Sequence, residues 1–173
     1  MQRVDAIRRS PLFAEHLGRI EAAEAERAFC GHGLAHLLDV ARIAWICVLE
    51  RGDDMPKDVV YAAALLHDVG RSAQYAIGED HDVAGVRIAC DILDGLPAGL
   101  RFDGAERAAI LDAVAGHRGE LAEDERGASG EDCHRVLARL IKEADGRSRA
   151  CYACPAREAC YWSDERKNMA IDI

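Results

Sequence analysis

Apolar residues recur along this chain at three- and four-residue steps, and no stretch alternates convincingly at period two. The pattern predicts an all-α fold. Between Leu34 and Leu49 residues such as Leu37, Val40, Ala41, Ile43 and Ala44 leave most sides apolar, which marks a central helix. A second helix begins near Asp54-Met55-Pro56, with a capping acid and a proline suited to a first turn, and ends at Gly70. A third opens at Glu79-Asp80-His81 and stops at Gly95, with Pro97 enforcing the break. Asp103 and Glu106 read as a capping box for a helix through Ile110 and Val114, ending near Gly116-His117. Another runs from about Asp132 through Leu137 and Ile141 to Asp145-Gly146, and a shorter amphipathic helix near Leu12 to Phe29 packs outside.

Polar residues at packed positions carry the chemical signal. His67 and Asp68 close the apolar run Tyr61 to Leu66, where neither completes a hydrophobic stripe. His36 shares a face with Val40 and Ala44, and Asp145 continues the line of Leu137 and Ile141, where an unpaired carboxylate is costly. His81 and His117 also fall at helix ends. A shared cation would account for these burials together, with iron, manganese, zinc and nickel all compatible with imidazole and carboxylate ligands.

Composition narrows the class. With 173 residues, half of them hydrophobic, and no Ser/Pro-rich linker, a single domain is expected. Twenty-two Lys and Arg against 31 Asp and Glu give a net charge of -9, which argues against a broad nucleic-acid or anionic-membrane surface. An anionic substrate would then need a metal or a local basic cluster. Without an apolar leader or a membrane-length apolar stretch, a cytoplasmic protein is expected, its seven cysteines reduced. Cys47 and Cys90 read as small core residues, Cys133 as incidental, and His16 and His134 as surface residues.

The ordered set His36, His67-Asp68 and Asp145, with the segment Ala-Leu-Leu-His-Asp-Val-Gly-Arg, resembles the HD-domain superfamily of metal-dependent phosphohydrolases. The likeness covers roughly Phe29 to Arg149, leaving residues 1-28 as an outer helix, 29-150 as the domain and 151-173 as a cysteine-rich tail packed on it. It implies that His36, His67, Asp68 and Asp145 bind a first metal. In binuclear members two further histidines bind a second, a role that falls here to His81 and His117, with Asp68 as the bridge. In the one-metal alternative those histidines contact substrate phosphate instead. Hydroxide activated between two metals would attack phosphorus, so no protein nucleophile is required.

Arg71, Arg147 and Arg149 lie within about a turn of these positions and could fork onto phosphate oxygens, Arg71 foremost and so also placed with Asp68 in the catalytic machinery. His32, one turn before His36, could orient a ligand or bind phosphate. The expected activity is hydrolysis of a phosphate ester or anhydride of a nucleotide, dinucleoside polyphosphates first, nucleoside monophosphates and cyclic nucleotides next. The competing class is a non-catalytic nucleotide, redox or metal sensor. Either could act alone or as a homodimer.

Cys151, Cys154 and Cys160 form a C-x2-C-x5-C knuckle one ligand short of a tetrahedral site. Cys30 could be the fourth: Cys30 and Cys151 each lie six residues, roughly 9 Å if helical, from His36 and Asp145, and would converge if the two helices run antiparallel and meet at the catalytic metal. Zinc and an iron-sulfur cluster are both compatible with four thiolates, and three unligated thiols in a loop are the alternative. Small bacterial HD proteins with a similar tail and a Lys-Asn pair, here Lys167-Asn168, look like the nearest relatives.

Overall fold

A computed structural model describes residues 1–116 and 133–171, together with the side chains of that range except those of Cys133 and His134. His117 lies outside the described residues. Every regular element described is helical: α1 Gln2–Arg9, α2 Pro11–Ala23, α3 Leu34–Arg51, α4 Lys57–Leu66, α5 Arg71–Ile77, α6 His81–Asp94, α7 Gly104–Gly116 and α8 Cys133–Arg147, with single 3-10 turns at Ala98–Leu100 and Cys151–Ala153.

Helix α4 is the hub. Val59, Val60 and the unbroken run Ala62 to Leu66 are buried, because α1, α3, α7 and α8 all pack against it. The alanines let neighbours approach closely, while Leu65 and Leu66 fill the remaining space. Helix α3 lies between α4 and α8, and α7 runs along α8 and α6. Gly52, with φ of 71°, ends α3 in the left-handed conformation that glycine adopts without a Cβ penalty.

The capping box forms as read. The Glu106 amide donates to Asp103 Oδ1 at 2.8 Å, and the Asp103 amide to Glu106 Oε2 at 3.0 Å. Glu106 also receives Arg3, whose Nε reaches Asp58 Oδ2 at 2.6 Å and whose guanidinium stacks 4.2 Å from the Phe102 ring. One arginine thereby ties α1 to α4 and α7.

Three boundaries differ from the sequence reading. The outer helix read near Leu12 to Phe29 is α2, which ends at Ala23, and residues 1-28 hold a second helix, α1, before it, because Ser10 caps α2 through the Phe13 amide and Pro11 takes its first position. The second helix stops at Leu66, so His67 to Gly70 form a turn, and Pro56 sits at the cap rather than inside the first turn. Beyond Gly70 a further short helix, α5, was not foreseen. Two residue readings also change. His16 is not a plain surface residue, since its Nδ1 lies 2.6 Å from Ser72 Oγ and joins α2 to α5. Cys90 is half-buried at the edge of α6, beside Arg107 and Asp94, because its side of the helix leaves the core.

Candidate metal centre

Four donors from three parts of the chain meet at one point. His36 stands near the start of α3, His67 and Asp68 in the turn after α4, and Asp145 near the end of α8. One ligand atom from each lies within 4.8 Å of all the others. His36 Nε2 is 3.3 Å from Asp145 Oδ1 and 3.6 Å from Asp68 Oδ2, and His67 Nε2 is 3.2 Å from Asp68 Oδ2. The turn is buried on every side, so the apolar end of α4 presses two polar groups into the bundle.

The surrounding hydrogen bonds fix which imidazole nitrogen faces inward. His67 Nδ1 donates to the Ala64 carbonyl at 2.7 Å, leaving the Nε2 lone pair toward the cluster. The Ser148 hydroxyl donates to the Asp145 carbonyl at 2.7 Å and accepts from His36 Nδ1 at 3.2 Å, which turns the Nε2 lone pair of His36 the same way. Two imidazole nitrogens oriented by outer partners, with two carboxylates, are a donor set that fits a divalent first-row ion.

The charges agree with that fit. Burial would raise the Asp68 carboxyl, but His67, His36 and Arg71 hold it well below the usual carboxylate range. Asp145 is likewise pushed up by burial and held down by its hydrogen bond to His36 and by Arg149. Burial works to lower His67, yet the two carboxylates raise it, so a cation entering the cluster competes with a proton there.

The two oxygens of Asp68 serve different neighbours. Oδ2 faces His36 and His67, while Oδ1 accepts from Arg71 Nε at 2.7 Å and lies 3.9 Å from His81 Nε2. His81 is fully buried at the start of α6. It is brought there by contact between two glycines: a Cβ on Gly70 would fall 1.9 Å from the His81 carbonyl oxygen and 2.5 Å from the Gly85 amide nitrogen.

His32 reaches the cluster from another side, its Nε2 4.0 Å from Asp68 Oδ2. Its Nδ1 bonds Glu24, which also accepts from the His32 amide at 2.7 Å and from the Tyr75 hydroxyl at 2.6 Å. Burial pushes the His32 pKa down to about 4, so the ring is neutral near pH 7. Arg149 is buried against the centre, its Nη2 2.7 Å from Asp145 Oδ1 and 3.3 Å from His36 Nε2. Arg147 pairs with Glu143 at 2.9 Å.

A cavity of about 750 Å³ opens beside the cluster, lined by His32, Arg71, Asp145, Arg147 and Arg149 together with all four cysteines Cys30, Cys151, Cys154 and Cys160. Nine Arg and Lys residues line it against two acids, Glu143 and Asp145, which reverses the sign of the protein as a whole. The tail that forms its outer wall is pinned by Asn168, whose amide donates to the carbonyls of Gly146 and Arg149, each at 2.8 Å.

The HD domain family profile matches residues 33–150. The chain belongs to the HD-domain family. HD domains form a superfamily of metal-dependent phosphohydrolases, and the His/Asp cluster lies within the matched span. An uncharacterized protein of Clostridium beijerinckii is 34% identical over 171 residues, 99% of each chain. Ribonuclease Y of Enterococcus faecalis is 25% identical over 68% of this chain and 18% of its own length. Ribonuclease Y 1 of Pediococcus pentosaceus is 25% identical over 63% of this chain and 21% of its own. This HD protein therefore spans about a fifth of each ribonuclease. No solved structure gives a match.

Ser148 and Glu24 escaped the sequence reading, and Asn168 entered it only as half of the Lys167-Asn168 pair, with no role assigned. Ser148 follows Asp145 by three residues, the spacing at which a hydroxyl reaches back to a helix-end carbonyl, and that was its one local signal. Glu24 and Asn168 act on residues distant in the chain, and nothing beside them announces it.

Proposed function

We propose that this HD protein hydrolyses a phosphate ester or anhydride of a nucleotide, with dinucleoside polyphosphates as the first candidates and nucleoside monophosphates and cyclic nucleotides next. The observation that carries the reading is the cavity. Its cationic lining meets the His/Asp cluster at Asp145, Arg71 and Arg149, so a phosphate drawn in by the basic residues arrives beside the donors.

His36, His67, Asp68 and Asp145 would hold a divalent ion, and His81 stands where Asp68 Oδ1 could share a second. Such an ion supplies an acidified water and positive charge for the phosphoryl oxygens. The chain's own residues do the rest. Arg71 keeps Nε on Asp68 while its terminal nitrogens remain for phosphate, which fastens substrate position to the cluster. Arg147 adds charge to the cavity lining, and Arg149 balances Asp145. His32, neutral and steered by Glu24, offers Nε2 as a hydrogen-bond or ligand atom rather than a cationic clamp. Phe29, Tyr161 and Trp162 line the same cavity and offer aromatic faces to a base.

A small nucleotide suits this arrangement better than a long RNA, whose flanking phosphates would lie on the exterior of a protein of net charge -9. The test is to load the protein separately with Mn, Fe, Zn or Ni and incubate it with dinucleoside polyphosphates, nucleoside monophosphates, cyclic nucleotides and a short RNA. Release of phosphate or nucleoside phosphate is expected, and it should be lost in Asp68→Asn. Tight nucleotide binding without turnover for any metal would make the protein a sensor, and preferential RNA cleavage would replace the substrate class.

A further inference from the structure

We propose that Cys30, Cys151, Cys154 and Cys160 together hold an iron-sulfur cluster of the four-iron type in the wall of the catalytic cavity. The four thiols come from two separate segments, none is in a disulfide, and all line one cavity. The segments are brought together by the residues beside the cysteines. Phe29 packs edge-on against Tyr161 with ring centroids 6.3 Å apart, and Arg149 Nη1 donates to the Gly31 carbonyl at 3.4 Å. On the tail side the Cys154 amide bonds the Cys151 carbonyl at 3.2 Å and the Cys160 amide bonds the Arg157 carbonyl at 3.3 Å, a folded knuckle rather than a loose loop.

Spread favours the larger of the two groups that suit four thiolates, zinc and an iron-sulfur cluster. Zinc bonds to sulfur of about 2.3 Å in a tetrahedron hold the sulfurs about 3.8 Å apart. Among the described residues the group gathered within a mutual 4.8 Å is the His/Asp cluster, and the cysteine sulfurs form no such group. Thiolates around a cage of iron and sulfide stand farther apart, and the cavity has room for the cage. The surroundings also suit its charge. Four thiolates leave a four-iron cluster negative, and Arg27, Arg157, Arg166 and Lys167 line the same space.

The experiment is anaerobic reconstitution of the full chain with ferric iron, excess dithiothreitol as reductant and sodium sulfide, then desalting. Acid-labile sulfide, iron and visible absorption are measured, and a parallel sample receives zinc alone. About four sulfides per chain are expected, with a broad band near 400 nm. Sulfide is the decisive count, because the His/Asp centre can take iron but has no call for sulfide. Cys154→Ser should lose most of the sulfide, and Cys47→Ser, a buried core thiol away from the cavity, should retain it. Should Cys154→Ser fail to fold, thiol alkylation of the wild type answers instead, since loading should protect four cysteines. No retained sulfide, or one tightly held zinc that protects the same thiols, overturns the proposal. None of these readouts depends on hydrolysis, so the outcome is independent of the proposed activity.

Discussion

Gly70 lies so close to His81 that a Cβ on residue 70 would stand 1.9 Å from the His81 carbonyl oxygen. Gly70 has an ordinary helical backbone, with φ of -68°, so the demand for glycine comes from α6 and not from its own conformation. Both obstructing groups are backbone and neither can swing aside. Gly70→Ala should push α6 outward, cost about 3 kcal/mol of stability, and take His81 away from Asp68. Urea unfolding and a metal titration on the same variant check both effects.

That contact also shows what a sequence can and cannot announce. Gly70 reads as the end of the second helix, but that helix stops at Leu66 and Gly70 caps the start of α5; the reason only glycine fits there is a helix beginning eleven residues later. The Asp103-Glu106 box was legible because both partners lie within one turn. The fold class and the His36, His67, Asp68, Asp145 cluster were legible because each residue breaks an apolar face locally, and the order of such breaks is distinctive. The start of α2 was placed near Leu12, where Ser10-Pro11 begins it, but α1 buries only Val4 and Ile7, too few to show a period. Cys90 and His16 were misread because the sides of their helices are decided by neighbours that periodicity does not name.

Ser148 orients His36 from behind, bonding its Nδ1 while offering no donor atom to the cluster itself. Ser148→Ala leaves His36 Nδ1 without its acceptor and frees the ring to take the other tautomer. Affinity for zinc or manganese should fall by about 10-fold or more, while the melting temperature of the metal-free protein changes little. Calorimetric titration beside a thermal scan separates the two.

The Arg3 bridge should make stability depend on acid. The hydrogen bond from Arg3 holds the Asp58 carboxyl below its ordinary value, so the folded state binds this proton less readily than the unfolded chain. The stabilisation is therefore present above the ordinary carboxylate range and is lost as pH falls through the folded value. Asp58→Asn should cost about 1 kcal/mol at neutral pH and almost nothing once the wild-type carboxyl is protonated. Denaturation curves of the two proteins should therefore differ at neutral pH and draw together as the pH is taken progressively below the ordinary carboxylate range.

Asn168 holds the tail against the end of α8 through its bonds to the Gly146 and Arg149 carbonyls. Asn168→Ala should destabilise by about 1 to 2 kcal/mol and loosen the wall of the cavity. Limited proteolysis should then cut after Arg157, half-buried in the wild type, faster in the folded variant than in the wild type.

The four donors of the metal centre are delivered in a fixed order during synthesis. His36, His67 and Asp68 leave the ribosome early, and Asp145 arrives only with α8, the helix that packs against α3, α4 and α7. A chain arrested before α8 has an incomplete donor set and an open bundle. An ion held by these four donors would thus mark a chain whose last helix has docked, and metal content would become a report on whether folding has finished.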